Sequence, residues 1–119
     1  MANRNITHIE IPAKSRAELG MFYAEMFGWE ITPMEDMGYG LFQSGNIAGG
    51  FPSVDENFKP GDVVLYIDSD DIDADLKAIE AKGGKILQGK TEIPGFGWYG
   101  MFTDPTGNRL GLYTSQPKS

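Results

Sequence analysis

The 119-residue sequence predicts an α+β fold: two tandem β-α-β-β-β modules forming a cupped, mostly antiparallel sheet, with helices on its outer face. Three observations lead there. A strand-like run, an amphipathic helix and a glycine stop follow one another twice. The two occurrences align over much of their length, as an internal repeat should. Each module alone has too few strands to cover its apolar face, whereas a pair of them can enclose a concave surface.

The first module opens with Ile6–Ile11, ITHIEI, which reads as a strand. Ser15 then starts a helix, and Glu18 three residues later completes an S-x-x-E capping box. Leu19, Phe22, Tyr23 and Met26 follow at helical spacing and predict one apolar stripe. Gly28 stops the helix, and Trp29–Thr32 begins the next strand. The second module repeats the order. Val63–Ile67 is a strand, Asp70 and Asp71 supply N-cap chemistry, and Ile72, Leu76 and Ile79 form the stripe. Gly83 and Gly84 end that helix before a strand starting at Lys85.

The register of the repeat can be followed along the chain. A shift of 56 carries His8 onto Val64, Ser15 onto Asp71 and Gly28 onto Gly84. A shift of 60 carries Tyr39-Gly40-Leu41-Phe42 onto Tyr99-Gly100-Met101-Phe102. A shift of 62 then carries Gly45–Phe51 onto Gly107–Tyr113, so the spacing grows where loops lengthen. The sequence therefore reads as one domain, 1–119, with module one at about 5–52, a polar Pro- and Gly-containing linker at 53–61, and module two at about 62–115.

A net charge of −7 disfavours phosphate backbones, so nucleic acid is not an expected partner. No run approaches the roughly 18 apolar residues of a membrane-spanning helix, and no membrane partner is expected. The start, MANRNITHIEIP, lacks the apolar core of a secretion signal, which makes a cytoplasmic location the expectation. Without cysteine there are no disulfides, thiolate ligands or thiol nucleophiles. No phosphate-binding glycine loop and no G-x-S-x-G elbow is present.

Two stretches carry a family resemblance. HIEIPAKSRAELGMFYAEMFGW places a histidine on a strand ahead of a helix with an FY pair that ends in FGW. IPGFGWYGMFTDPTGNRLGLY closes the chain with a DP-x-GN turn leading into a last strand. Together they resemble the vicinal oxygen chelate superfamily (glyoxalase, bleomycin resistance protein, extradiol dioxygenase), over nearly the whole chain. The resemblance implies a homodimer and a small-molecule ligand in the concave sheet. In the enzymes of that family it also implies one divalent metal, which acts as a Lewis acid on two substrate oxygens. The implied ligand positions are His8, Val64, Gly49 and Gly111, of which only His8 offers a donor. A catalytic metal needs about three protein ligands. The expectation is therefore no metal and no cofactor, with Glu10, on the same strand face as His8, as the nearest replacement donor.

Strand alternation assigns the remaining candidates. His8 and Glu10 share the concave side and are the candidate catalytic pair, a general acid and base. Tyr66, Arg109 and Tyr113 are expected on that side as ligand-binding residues, with Phe51 as the module-one counterpart of Tyr113. Arg109 suits a carboxylate or phosphate, or else an ion pair with Glu10. Trp98, in the glycine-rich loop Ile93–Gly100, is a further ligand contact or a packed hairpin residue, and the loop Met34–Gly38 is expected near it. Two functions follow. The first is a ligand-sequestering small-molecule binder with a largely lost metal site. The alternative is a lyase or isomerase of the glyoxalase type, using a displaced metal or the His8–Glu10 pair. A non-catalytic module acting through dimerisation or a protein partner is a third.

Overall fold

The computed structural model describes residues 4–34 and 39–115. The order strand, helix, three strands occurs twice: β1 (Ile6–Glu10), α1 (Arg16–Phe27), β2 (Glu30–Met34), β3 (Tyr39–Ser44) and β4 (Ile47–Gly50), then β5 (Val64–Asp68), α2 (Ile72–Ala81), β6 (Lys85–Ile93), β7 (Gly97–Thr103) and β8 (Arg109–Ser115). The chain thus adopts the α+β fold of two β-α-β-β-β modules. It divides into two compact units, His8–Val64 and the described parts of Met1–Thr7 with Leu65–Ser119. Residues 35–38, which hold most of the expected Met34–Gly38 loop, lie outside the described residues.

In the first unit β1 runs parallel to β4, pairing His8 with Ala48 and Glu10 with Gly50. β3 is antiparallel to both β4 and β2. Helix α1 starts where the capping box places it: the Ser15 hydroxyl accepts from the Glu18 N–H at 3.2 Å. It stops at Gly28, whose φ of 73° is left-handed and whose N–H bonds the Ala24 carbonyl. The core is Ala13, Phe42 and Phe51, with Leu19, Tyr23, Trp29 and Ile31 packed against it. Tyr23 stacks on Trp29 at 4.5 Å, and Trp29 on Phe42 at 4.7 Å. The expected stripe is corrected in part. Leu19 and Tyr23 pack inward, but Phe22 and Met26 stay exposed at 53% and 61%. The reason is Gly20, which lets the helix approach so closely that a Cβ there would lie 3.0 Å from Ile31. Closest approach at Gly20 turns the buried face toward positions 20 and 23 and away from 22 and 26.

In the second unit β5 runs parallel to β8, pairing Tyr66 with Gly111, and β7 lies antiparallel between β8 and β6. The Asp71 side chain caps α2 by accepting from the Ala74 N–H at 3.1 Å. Ile72, Leu76, Phe102 and Leu112 form the core, with Ile67, Ile79, Trp98 and Leu110 against it. The β7–β8 turn is built on Asp104. Its Oδ1 accepts from the N–H groups of Thr106, Gly107 and Asn108, and its Oδ2 from the Asn108 amide. These four donors, the Asn108 side chain first, hold the Asp104 carboxyl below its ordinary pKa. Arg4 forks onto Asp75 at 2.7 and 3.0 Å, and Asp75 also accepts from the buried Ser69 hydroxyl.

The parallel pairings correct one register. Gly50 faces Glu10 as Gly111 faces Tyr66, so the last strands superpose at a shift of 61. Slipping a strand by one residue exchanges its two faces. Phe51 is therefore the counterpart of Leu112, and Gly50, not Gly49, is the counterpart of Gly111. Among the described residues no helix is long and apolar enough to cross a membrane.

Candidate functional site

His8 and Glu10 lie on β1 with their side chains on the face opposite α1, because Ile9 between them packs into the core. The structure brings them together through a third residue. Tyr39, at the start of β3, donates its hydroxyl to Glu10 Oε2 at 3.0 Å, and the same oxygen lies 3.1 Å from His8 Nε2. A phenol has one proton. With that proton directed at Glu10, the Tyr39 oxygen is placed to accept from His8 Nε2. Burial lowers the His8 pKa from its ordinary value, because the charged form loses water. Burial also raises the Tyr39 pKa, and the nearby Glu10 carboxylate raises it further. The phenol therefore stays protonated and acts as a donor. The sequence signal for Tyr39 was present, since Tyr99 repeats it, but the repeat reads as packing, not chemistry.

The donor set does not fit a divalent metal. A Cβ on Gly50 would lie 1.8 Å from the Tyr39 hydroxyl, so the tyrosine occupies the space a carboxylate from that position would need. In the second unit a Cβ on Gly111 would lie 2.3 Å from the Tyr66 ring. Val64 is buried and apolar. Among the described residues no three His, Asp or Glu side chains are grouped as ligands. At both glycines an aromatic ring stands where a ligand side chain would stand.

The second unit places the other candidates. Tyr66, Arg109 and Tyr113 lie on the face opposite α2, since Ile67, Leu110 and Leu112 between them pack on the helix side. Tyr66 is buried, while Arg109 and Tyr113 are half-buried. The Tyr113 hydroxyl donates to the Phe96 carbonyl at 3.0 Å, which ties down the turn after β6. Burial raises its pKa. Two expected placements are corrected. Phe51 is fully buried in the first core beside Tyr23 and Phe42, because of the one-residue register difference. Trp98 lies on the α2 side, as does Gly100, where a Cβ would meet Ile72 at 3.0 Å. Lys90 caps the Trp98 ring at 5.2 Å. Phe96, at the tip of the same hairpin, is 41% exposed.

A family model described as the Glyoxalase/Bleomycin resistance protein/Dioxygenase superfamily matches residues 5–112. The anthracycline biosynthesis protein DnrV of Streptomyces peucetius is 27% identical over 110 residues, covering 77% of this chain and 40% of that protein. The chain thus spans about two fifths of the length of the curated relatives it matches. A hypothetical protein of Bacillus halodurans C-125 superposes with a TM-score of 0.74 at 10% identity, covering 98% of both chains. Methylmalonyl-CoA epimerase of Mycobacterium tuberculosis superposes at 0.70 and 15% identity, covering 98% of this chain and 93% of that one. At such identities these two structures speak to the fold alone.

Proposed function

Starting from a chain that belongs to the Glyoxalase/Bleomycin resistance protein/Dioxygenase superfamily, we propose a small-molecule-binding protein whose metal site is lost and which sequesters a planar aromatic ligand. The observation that carries this reading is the pair of tyrosine rings over Gly50 and Gly111, which replace metal-binding side chains with aromatic surface. Half-buried Tyr113 offers a stacking face, backed by the buried Tyr66 ring, and Arg109 offers a fork for an acidic substituent. The similarity to the anthracycline biosynthesis protein DnrV supports a fused aromatic ring system as the ligand. A homodimer belongs to the same reading. Its support is the row Met21, Phe22, Met26 and Phe27, large apolar side chains left exposed on α1.

Two measurements test it. After incubation with nickel, cobalt, zinc, iron and manganese and then dialysis, elemental mass spectrometry should find almost no metal. About one metal per chain that disappears in His8→Ala would sink the reading. Calorimetry with an anthracycline should show binding that Tyr113→Ala or Arg109→Gln weakens about tenfold, the loss of one stacking or charge-assisted contact. Binding unchanged in both variants would move the ligand elsewhere.

The His8–Tyr39–Glu10 chain favours a second reading, a metal-free lyase or isomerase. His8 would act as the base toward a substrate proton, and the Tyr39 hydroxyl would orient its ring. This requires turnover of a carbonyl substrate that His8→Ala abolishes; turnover that survives the substitution excludes the mechanism.

A further inference from the structure

Side chains on β7 alternate between the two faces of the sheet. Trp98 packs against the second core, and a Cβ on Gly100 would meet Ile72 and Leu76 of α2, so both positions look toward the helix. Tyr99 between them stands on the opposite face. There it is the direct cross-strand partner of Tyr113 on the adjacent antiparallel strand β8. The side chains of such a pair share one face and are rooted about 5 Å apart.

The repeat gives the same placement. A shift of 60 carries Gly40 onto Gly100 and Phe42 onto Phe102, all four on the helix side, and so carries Tyr39 onto Tyr99 on the other side. The two tyrosines differ in what they fill. The Tyr39 ring occupies the space over Gly50, whereas the space over Gly111 is taken by Tyr66 from β5. Tyr99 is spared that packing role and stays half-buried. Tyr113 beside it is held by its hydroxyl bond to the Phe96 carbonyl at 3.0 Å. A ring already fixed offers a stacking face at little cost in ordering.

We propose that Tyr99 and Tyr113 form a two-ring shelf, and that Tyr99 makes the second unit select fused polycyclic ligands over single rings. This rests on the reading of Tyr113 as a ligand contact. A single six-membered ring rests on one tyrosine, whereas a fused three-ring system lying across β7 and β8 reaches both. Each aromatic contact is favourable beyond the area it buries, so the second one is gained only by a ligand wide enough to make it.

The test is calorimetry on the full chain with benzenesulfonate and anthraquinone-2-sulfonate, which carry the same acidic group and differ in ring number. The three-ring probe should bind at least about tenfold more tightly. Tyr99→Leu, which keeps an apolar strand residue but no ring, should weaken the three-ring probe about tenfold and the one-ring probe less than about twofold. Circular dichroism checks that the variant folds; if it does not, nuclear Overhauser contacts between the three-ring probe and the Tyr99 ring in the parent chain decide. Three-ring affinity that falls in Tyr113→Ala but not in Tyr99→Leu overturns this inference and leaves the reading of the site standing. Equal binding of the two probes to the parent chain, or equal weakening of both in Tyr99→Leu, also overturns it. No binding of the three-ring probe to the parent chain overturns the inference and the reading together.

Discussion

Tyr39 joins His8 and Glu10 through one oxygen, and that oxygen sits where a side chain at Gly50 would be. Removing the hydroxyl leaves a carboxylate and an imidazole each short of a partner in a half-buried place. Tyr39→Phe should therefore cost about 1–3 kcal/mol in chemical denaturation. Gly50→Ala should also destabilise, by about 1–3 kcal/mol as an overpacking change, and the penalty should shrink in a Tyr39→Ala background. Equal penalties in the two backgrounds would mean that the ring is not what excludes a side chain. His8 is the only histidine, so its ring signals need no assignment. Its NMR titration should fall below the ordinary value of 6.5; a midpoint at or above that value would contradict its burial as a neutral ring. The identities of His8 and Glu10 as a pair were legible from spacing of two on a strand. Tyr39 was not, because it comes from another strand about thirty residues away.

The local devices that begin and end elements act as sequence rules require. Ser15 and Asp71 cap their helices, and Gly28 takes the left-handed turn that a Cβ would strain. Ser15→Ala should lower stability by about 1 kcal/mol. Asp104 accepts four hydrogen bonds in the β7–β8 turn, so Asp104→Ala should lower the melting temperature, and Asp104→Asn, which keeps one acceptor oxygen, should lower it less. Unchanged melting in Asp104→Ala would show that strand pairing alone holds the hairpin. Strand faces were harder to read than caps. A repeat shift of 62 puts Phe51 opposite Tyr113, and the observed 61 puts it in the core. Gly49 and Gly50 stand side by side in the sequence, so both alignments match glycine to glycine, and nothing local distinguishes them.

Over the whole molecule, the perturbed groups define a pH window. His8 has a folded pKa below its unfolded value, so the folded state resists the proton the unfolded chain takes up. Its contribution is complete above about pH 6.5 and is lost as pH falls from there toward the lowered folded value. Asp75, held below its ordinary pKa first by the hydrogen bond from Arg4, adds a loss at lower pH, as pH falls from the unfolded carboxylate value through the folded one. Tyr39 and Tyr113 are raised, so their contribution is complete below about pH 10 and is lost above it. Denaturant midpoints should therefore be flat between about pH 6.5 and 10 and should decline on either side. A maximum at acidic pH would contradict this.

The amino-acid sequence by itself determined the two-module architecture, the helix caps and the glycine stops. Each of these depends on residue type and short-range spacing. Tertiary structure alone decided which residues touch. It set the one-residue register that buries Phe51, the turn of α1 that exposes Phe22 and Met26, the side of β7 that carries Trp98, and the meeting of Tyr39 with His8 and Glu10. Those outcomes come from strand pairing and from the close approach at Gly20. Both are non-local, and the energies that settle them are summed over contacts between segments far apart in the chain.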